Sequence, residues 1–170
     1  FNQNGNGTIA STSGIDLSGN YLGSTDETDL TSWINSGCDF TPYLGSATDS
    51  DLGTDGFQGD FGNLYVTNEG AQTGSADRVQ EAHDLANAGG AVSLNMGDYA
   101  EALVVTKNLT MSPLSNTSDT VSLDDLTMNG SSIQLTIDDN LRINSSLTFT
   151  DGNIDAADGA VILGTAVPDP

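Results

Sequence analysis

Basic residues are nearly absent from this sequence, and their absence is its strongest single constraint. Three Lys and Arg residues stand against 24 Asp and Glu residues, which gives a formal net charge of −21 at pH 7. Because nucleic acids and anionic lipid surfaces are polyanionic, a chain with this charge repels them. We therefore exclude nucleic-acid binding and expect the acidic surface to serve either solubility alone or cation binding.

Cysteine and long apolar runs are also scarce. Cys38 is the one cysteine, so no disulfide can form within the chain. We expect its thiol to act as a small buried apolar group, the alternative being a bridge to another molecule.

No run of about 18 apolar residues occurs, so no membrane insertion is predicted, and no signal peptide is recognised. Because the chain starts at Phe1 and stops after Pro170, we expect it to be cut from a longer precursor.

Aromatic residues make up only 6% of the chain, and apolar residues 36%, which is below the usual share for a globular domain. Gly, Ser, Thr, Asn and Asp are abundant instead, and this mixture favours turns and short strands over long helices. Together with the scarcity of Lys, it is typical of extracellular proteins. We predict an extracellular, all-β chain with a thin or repetitive core.

One helix is clearly predicted, near residues 75–88. Ser75 is a suitable N-cap and Asp77 a favourable residue for the first turn. An apolar stripe that begins at Val79 lies along one face, and Gly89 with its following glycine ends the helix.

A further helical turn or two is predicted within residues 25–36. Asp26 or Thr28 would cap it. The inward-facing residues would be Leu30, Trp33 and Ile34.

The remaining sequence predicts short strands. They lie, in chain order, as two strands within 1–24, then at 38–44, 64–66, 91–95, 103–107, 109–111, 121–128, 133–137, 141–143, 147–149 and 160–163. A phrase of Leu, Thr and a bulky apolar residue recurs at irregular intervals, at 109–111, 126–128, 135–137 and 147–149. Short strands separated by Gly, Asn and Asp turns are typical of a solenoid, in which each strand pairs with the equivalent strand one coil away.

The predicted helix is followed by a Gly-Gly pair, the motif Gly97-Asp-Tyr-Ala-Glu101, and a strand that leads through Lys107. With these motifs in this order, the stretch from Ser75 to Met111 resembles the opening coil of right-handed parallel β-helix proteins of the pectate-lyase-like type. Met96 departs from the Pro or Ala that usually precedes the glycine of this motif. The resemblance implies a right-handed parallel β-helix with one short capping helix, and a structural role for Lys107.

Between Ile15 and Leu44 come the turn Gly19-Asn-Tyr-Leu-Gly23, then Trp33-Ile-Asn35, and then Gly37-Cys-Asp-Phe-Thr-Pro-Tyr-Leu44. This stretch resembles the closing segment of bacterial β-helix surface proteins, with Cys38 standing where an aliphatic residue is usual. A closing segment thus precedes an opening one. We therefore predict that residues 1–70 are the closing coils and cap of one β-helix, and that residues 71–170 are the opening helix and first coils of the next.

Open coils at both ends follow from this arrangement, and unpaired strand edges favour pairing with another chain. Head-to-tail contacts between copies that do not close into a ring produce filaments. The resemblance therefore implies an extracellular structural or adhesive module of a larger bacterial surface protein. Its predicted partners are neighbouring copies or the rest of the precursor, and surface glycans.

Enzymes of the family imply an alternative, namely a fragment of a polysaccharide lyase or esterase. Those enzymes use clustered Asp residues with an Arg or Lys base, but here Arg78 lies on the predicted helix and Arg142 is expected to form a local ion pair with Asp138 or Asp139. The acidic pairs at 124–125 and 138–139 match hydrolase carboxylates in type, yet we interpret them as turn residues.

His83 is the one histidine in the chain, and no catalytic or metal cluster can be assembled around it from the sequence. We expect it to be partly buried or solvated on the predicted helix. The sequence therefore predicts no catalytic site.

An acidic loop supplies the best metal candidates, which are Asp49, Asp51, Asp55 and Asp60. Calcium prefers hard oxygen ligands, and their near-alternate spacing with glycines is typical of calcium loops. The EF-hand pattern fails because Gly53 occupies the third position from Asp51 and no Glu closes the loop. The two interpretations are a weak calcium site, as in a calcium-stabilised carbohydrate-binding module, and a solvated turn-rich loop.

Overall fold

The computed structural model describes residues 14–74, 77–114, 121–157 and 159–164. Within these ranges lie two short helices, α1 (Glu27–Trp33) and α2 (Arg78–Leu85). The strands are β1 (Tyr43–Leu44), β2 (Asn63–Val66), β3 (Ala91–Leu94), β4 (Gly97–Val105), β5 (Leu109–Pro113), β6 (Val121–Met128), β7 (Gln134–Ile137), β8 (Leu141–Phe149), β9 (Asn153–Asp155) and β10 (Val161–Leu163).

The strands form two sheets, and from β3 onward the chain visits them alternately. The first sheet has the order β1-β2-β3-β5-β7-β9 and the second the order β10-β8-β6-β4. Every pairing is parallel except that of β1 with β2. Each coil contributes one strand to each sheet, so β3 to β8 make three coils and β9 with β10 begins another. The predicted parallel β-helix is confirmed as a β-solenoid of about 3 turns.

The recurring Leu-Thr phrase explains the register of the coils. Residues 109–111 pair with 135–137 in the first sheet, and 126–128 pair with 147–149 in the second. Leu therefore stacks on Leu and Thr on Thr. Because successive side chains of a strand point to opposite faces, the Leu residues enter the core while the Thr residues face outward. The intervals look irregular in the sequence because the phrase occupies two different sheets.

The core runs along the solenoid between the two sheets. A typical column consists of Val92, Met111 and Ile137, which follow one another on adjacent strands and are all fully buried. Complete burial of an aliphatic side chain of this size contributes about 1.5–3 kcal/mol. The core is thus built by repetition of similar layers, as the low apolar content requires.

A second, smaller core forms around α1. Asp26 is its N-cap and accepts a hydrogen bond from the Thr28 N–H at 2.8 Å, which confirms one of the two predicted caps. Leu30 and Ile34 are buried in this cluster. Cys38 is fully buried there with a free thiol, so the interpretation as a small apolar group is confirmed.

Several predicted elements differ from the structure at the N-terminal side. Residues 1–13 lie outside the described part, and in 14–24 the structure has an isolated bridge from Asp16 to Asp39 rather than a strand. Gly14, Gly19 and Gly23 all have positive φ, which interrupts extended backbone.

Further differences concern strand and helix limits. The predicted strand at 38–44 is reduced to β1, since Pro42 has no N–H to donate to a ladder. The strands predicted at 141–143 and 147–149 are one strand, β8, and β9 was not predicted as a strand. Ser75 lies outside the described residues, and Asp77 is the N-cap of α2.

The predicted boundary near residue 70 falls between β2 and β3. These strands pair in parallel over their full length, so both predicted segments contribute to one sheet. Their assignment to two separate β-helices stays a prediction. Within the described ranges, neither helix is long and apolar enough to cross a membrane.

Candidate functional site

Helix α2 is held at its N-terminus by a carboxylate from β4. The Glu101 carboxylate accepts hydrogen bonds from the Val79 N–H at 3.1 and 3.0 Å and from the Gln80 N–H at 3.1 Å. These N–H groups have no partner inside the helix, so Glu101 replaces a local cap. Burial raises the pKa of Glu101, although the two N–H groups act in the opposite direction.

A bulge in β4 brings Glu101 to this position. The register between β4 and β6 shifts between Tyr99 and Ala102, so one additional residue is accommodated on β4. The Tyr99 hydroxyl donates to the carbonyl oxygens of Val66 and Asn95 at 3.2 and 2.9 Å. The motif that carried the family resemblance therefore serves to fasten α2 and β2 to the first coil.

Side chains of α2 complete the outer edge of β4. The Val104 N–H donates to Gln80 Oε1 at 2.8 Å, and the Thr106 N–H donates to His83 Nε2 at 3.1 Å. These backbone donors would otherwise pair with a further strand. Helix α2 thus takes the place of a strand at this end of the solenoid and covers an edge that would favour association.

His83 is 2% exposed, more buried than the sequence predicts. Because Nε2 accepts from a backbone N–H, the proton of the neutral ring lies on Nδ1, which donates to Asp84 Oδ1 at 2.8 Å. Burial lowers the pKa of His83, and the hydrogen bond to Asp84 offsets this only in part. The imidazole is a structural acceptor for the strand edge.

The basic residues near α2 bind backbone carbonyl groups. Lys107 Nζ donates to the carbonyl oxygens of Asp84 and Ala86 at 3.1 and 2.6 Å, where a cation favours the helix C-terminus. Arg78 donates to carbonyl oxygens of the loop after β2, including those of Glu69 and Gly70 at 2.6 Å. The structural role that the resemblance implied for Lys107 is confirmed.

Arg142 does not form the predicted ion pair. Its guanidinium donates to the Gly164 carbonyl oxygen at 3.1 Å, because the side chain extends from β8 toward the neighbouring β10. Asp138 accepts from Ser112 Oγ at 3.0 Å, and Asp139 accepts from the Asn140 N–H at 2.7 Å.

The two acidic pairs differ from each other. Residues 138–139 lie in the bend after β7, as predicted, whereas residues 124–125 lie within β6, so their interpretation as turn residues is wrong. Asp125 accepts from Ser146 Oγ on β8 at 2.5 Å. Its carboxylate therefore links adjacent coils.

The predicted calcium ligands are placed in separate turns. Asp49 accepts from the Asp51 N–H at 3.0 Å, Asp51 from the Gly53 N–H at 3.0 Å, and Asp60 from the Gly62 N–H at 2.9 Å. Asp55 is exposed. In the described part of the chain, no group of three or more Asp, Glu, His or Cys side chains is arranged to hold a metal ion.

Two adjoining hollows lie beside this acidic loop, with volumes of about 520 and 360 Å³. They share Asn20 and Phe57, so they form one groove. We call it the aromatic groove; its principal lining side chains are Asn20, Tyr21, Phe57, Gln58, Phe61 and Asn87. Sequence reasoning missed this groove because its residues come from three segments distant in the chain.

A smaller cleft of about 210 Å³ lies beside the N-terminus of α2 and is lined by Asp77, Arg78, Asp98 and Glu101. Arg78 and Glu101 are occupied with backbone groups, as described above. Asp98 accepts a hydrogen bond from the Ser122 hydroxyl on the next coil. Arg78, Asp98 and Glu101 thus belong to the framework of the first coil.

At the opposite end, the solenoid is open within the described part of the chain. No described residue pairs with the outer edge of β9 or β10. Val105, Met128 and Phe149 form one inward-facing column, in which the first two are fully buried and Phe149 is 51% exposed. In a second column Ile143 is 1% exposed and Leu163 65%. The core therefore reaches solvent at the last described coil.

Comparison with family models, with curated proteins and with solved structures finds no match for this chain. The β-solenoid rests on the structure itself. The pectate-lyase-like family and the bacterial source stay predictions from the sequence motifs.

Proposed function

We propose that this chain is an extracellular structural module, forming the cap and first coils of a β-solenoid within a larger bacterial surface protein. The observation that carries the proposal is the difference between the two ends of the solenoid. One end is covered by α2 and by the chain around residue 20. At the other end no described residue pairs with the outer edges of β9 and β10, and core residues are exposed.

At the covered end, both sheets are closed to further strands. Gln80 and His83 accept from the outer edge of β4. On the other sheet, the Leu44 N–H of β1 donates to the Asn20 carbonyl oxygen at 3.0 Å, and the Gly19 N–H donates to the Pro42 carbonyl oxygen at 2.7 Å. This use of backbone groups suits the first coil of a solenoid, which must not pair with other chains.

At the open end, the exposed columns supply a template for another coil. The free edges of β9 and β10 can pair with further strands, and Phe149 and Leu163 would then be buried like their counterparts in earlier coils. The occupant in this proposal is another coil, from the rest of the polypeptide or from a neighbouring copy. Pairing of two copies through one such end closes as a two-fold dimer, whereas a filament requires a second complementary end.

The extracellular setting is supported by composition. A net charge of −21 with three basic residues keeps the chain strongly solvated and repels polyanions. A structural role is favoured over catalysis because Lys107, Arg78 and Arg142 all donate to backbone carbonyls. The carbohydrate-active alternative needs a base and an electrophile free to contact substrate.

The molar mass of the purified chain in solution tests the proposal. We expect the wild type to associate as its concentration rises, and Phe149→Lys and Leu163→Lys to remain monomeric, because each places a charge in the surface to be buried. Light scattering after size exclusion measures this. Leu52→Lys is the matched control, since Leu52 is 90% exposed in the acidic loop and distant in sequence from both columns.

A wild type that stays monomeric at all concentrations, or that associates equally well with Lys at both positions, would contradict pairing through the open end. Release of new reducing ends or unsaturated products from polysaccharides by the purified chain would favour the enzyme alternative instead.

A further inference from the structure

We propose that the aromatic groove binds a neutral oligosaccharide. This goes beyond the structural role, and the site is complete without any contact at the open end. The proposal rests on the ring surfaces, the polar groups, the charge and the dimensions of the groove.

The ring surfaces are the first argument. Aromatic residues are only 6% of the chain, yet Tyr21, Phe57 and Phe61 all line this groove. Phe57 is 49% exposed, so its ring is available at the surface. The face of an aromatic ring carries partial negative charge and attracts the weakly positive C–H groups on the apolar side of a pyranose ring.

The polar groups are the second argument. Asn87 is exposed beside the groove, and its amide offers both a donor and an acceptor to sugar hydroxyls. Asn20 Nδ2 donates to the carbonyl oxygens of Leu17 and Ser18 at 3.2 and 3.0 Å, which fixes the amide in place. Amides with aromatic rings match the alternating polar and apolar surfaces of a sugar chain.

The wall that carries Phe57 is ordered before any ligand arrives. Asp49 pairs with Gly59 across the loop, and Ser50 Oγ donates to the carbonyl oxygens of Gln58 and Gly59 at 3.0 and 3.3 Å. These contacts hold the loop as a short hairpin. Preorganisation of this kind reduces the entropy lost on binding.

Charge selects among saccharides. Asp60 is the one charged side chain lining the groove, and none of the described lining residues is basic. The chain as a whole carries a net charge of −21. Uronic acid and sulfated glycans are therefore repelled, and an uncharged chain is the ligand that this surface accepts.

The dimensions agree with a short oligosaccharide. The two hollows, of about 520 and 360 Å³, adjoin at Asn20 and Phe57. Small-molecule sites commonly have volumes of about 300–1,000 Å³. Together the hollows are lined by residues 19–21, by residues of the acidic loop and by Asn87 after the C-terminal end of α2, so a ligand that fills both contacts three segments of the chain.

Titration with defined hexasaccharides tests the proposal. The probes are β-1,4-linked glucose, xylose and N-acetylglucosamine, α-linked mannose, and a galacturonate hexamer as the acidic comparison. We expect at least one neutral probe to bind with a dissociation constant of about 1 mM or below, and the galacturonate hexamer not to bind. Calorimetry gives the affinity, and amide chemical shifts locate the site.

Phe57→Ala is the principal variant, because Phe57 is half-exposed and its loss spares the core. It should weaken binding at least about tenfold, equivalent to about 1.4 kcal/mol, and Asn87→Ala should weaken it measurably. The matched controls are Leu52→Ala, in the same loop, and Phe149→Ala, an exposed ring at the open end. Both should bind like the wild type.

Three results would overturn the proposal: no binding of any neutral probe at about 10 mM, equal binding by Phe57→Ala and wild type, or preference for the galacturonate hexamer. Phe57→Ala leaves the open end intact, so self-association and sugar binding can fail independently.

Discussion

At the residue scale, the few basic and buried titratable side chains act on the backbone. Glu101 and Lys107 hold opposite ends of α2, and each is placed where the helix dipole favours its charge. The family resemblance located both residues. It did not reveal what Glu101 binds. The spacing of Glu101 from Tyr99 and Leu103 did indicate that its side chain is buried, because all three occupy inward positions of β4.

His83 predicts a pH dependence of stability. Burial lowers its pKa in the folded state, so the unfolded chain binds more protons as the pH falls through the ordinary histidine range. The stability that neutral His83 contributes is complete above the unfolded-state pKa and is lost as pH falls toward the folded-state pKa. We expect the unfolding free energy of wild type to fall more steeply than that of His83→Gln between about pH 7 and about pH 5.

Urea unfolding at several pH values measures this difference. His83 is the one histidine in the chain, so the comparison isolates its titration, and Gln can still accept from the Thr106 N–H. The comparison is needed because burial raises the pKa of the Glu101 carboxyl. Protonation of Glu101 therefore favours the folded state as the pH falls, whereas protonation of His83 disfavours it. Parallel pH profiles for the two proteins would show that His83 does not titrate differently on folding.

At the scale of elements, local sequence patterns predicted the helix and the strands, whereas long-range contacts determine what each element packs against. Periodicity predicted α2, and the alternation of short strands predicted the coils. Helix α2 covers the edge of β4 because Gln80 accepts from the Val104 N–H and His83 accepts from the Thr106 N–H. Nothing in the local pattern of a helix specifies such contacts. The register of the Leu-Thr phrase, by contrast, was implicit in the sequence, since identical phrases stack best on each other.

Gln80→Ala should expose the edge of β4. Its loss leaves the Val104 N–H without the acceptor that lies 2.8 Å away, and an unsatisfied donor costs about 1–3 kcal/mol. We expect faster hydrogen exchange at Val104, with little change at the inner strands. Leu85→Ala is the control on the same helix, because Leu85 is partly exposed. Unchanged protection at Val104 in Gln80→Ala would contradict the role of α2 as a substitute strand.

At the scale of the whole molecule, the two ends of the solenoid differ in ways that the sequence indicated only in part. The opening helix was recognised at its proper place before the first coil. Open coils were expected at both ends, but α2 covers the edge of β4 and the turn at 17–20 covers β1. The residues of that turn bond to residues more than 20 positions away in the chain. No local sequence pattern predicts hydrogen bonds between segments so far apart.

The columns that run through the coils supply a test of this asymmetry. Met128 and Phe149 occupy equivalent positions on β6 and β8, yet Met128 is fully buried and Phe149 is 51% exposed. In dilute solution we expect Met128→Ala to lower the unfolding free energy by about 2–5 kcal/mol and Phe149→Ala by a much smaller amount.

If the open end is covered by another coil at high protein concentration, Phe149→Ala should lower the unfolding free energy more strongly there, because the ring is then buried. Denaturant unfolding at low and high protein concentration compares the two variants directly. A penalty for Phe149→Ala that does not change with concentration would mean that no second copy covers this end.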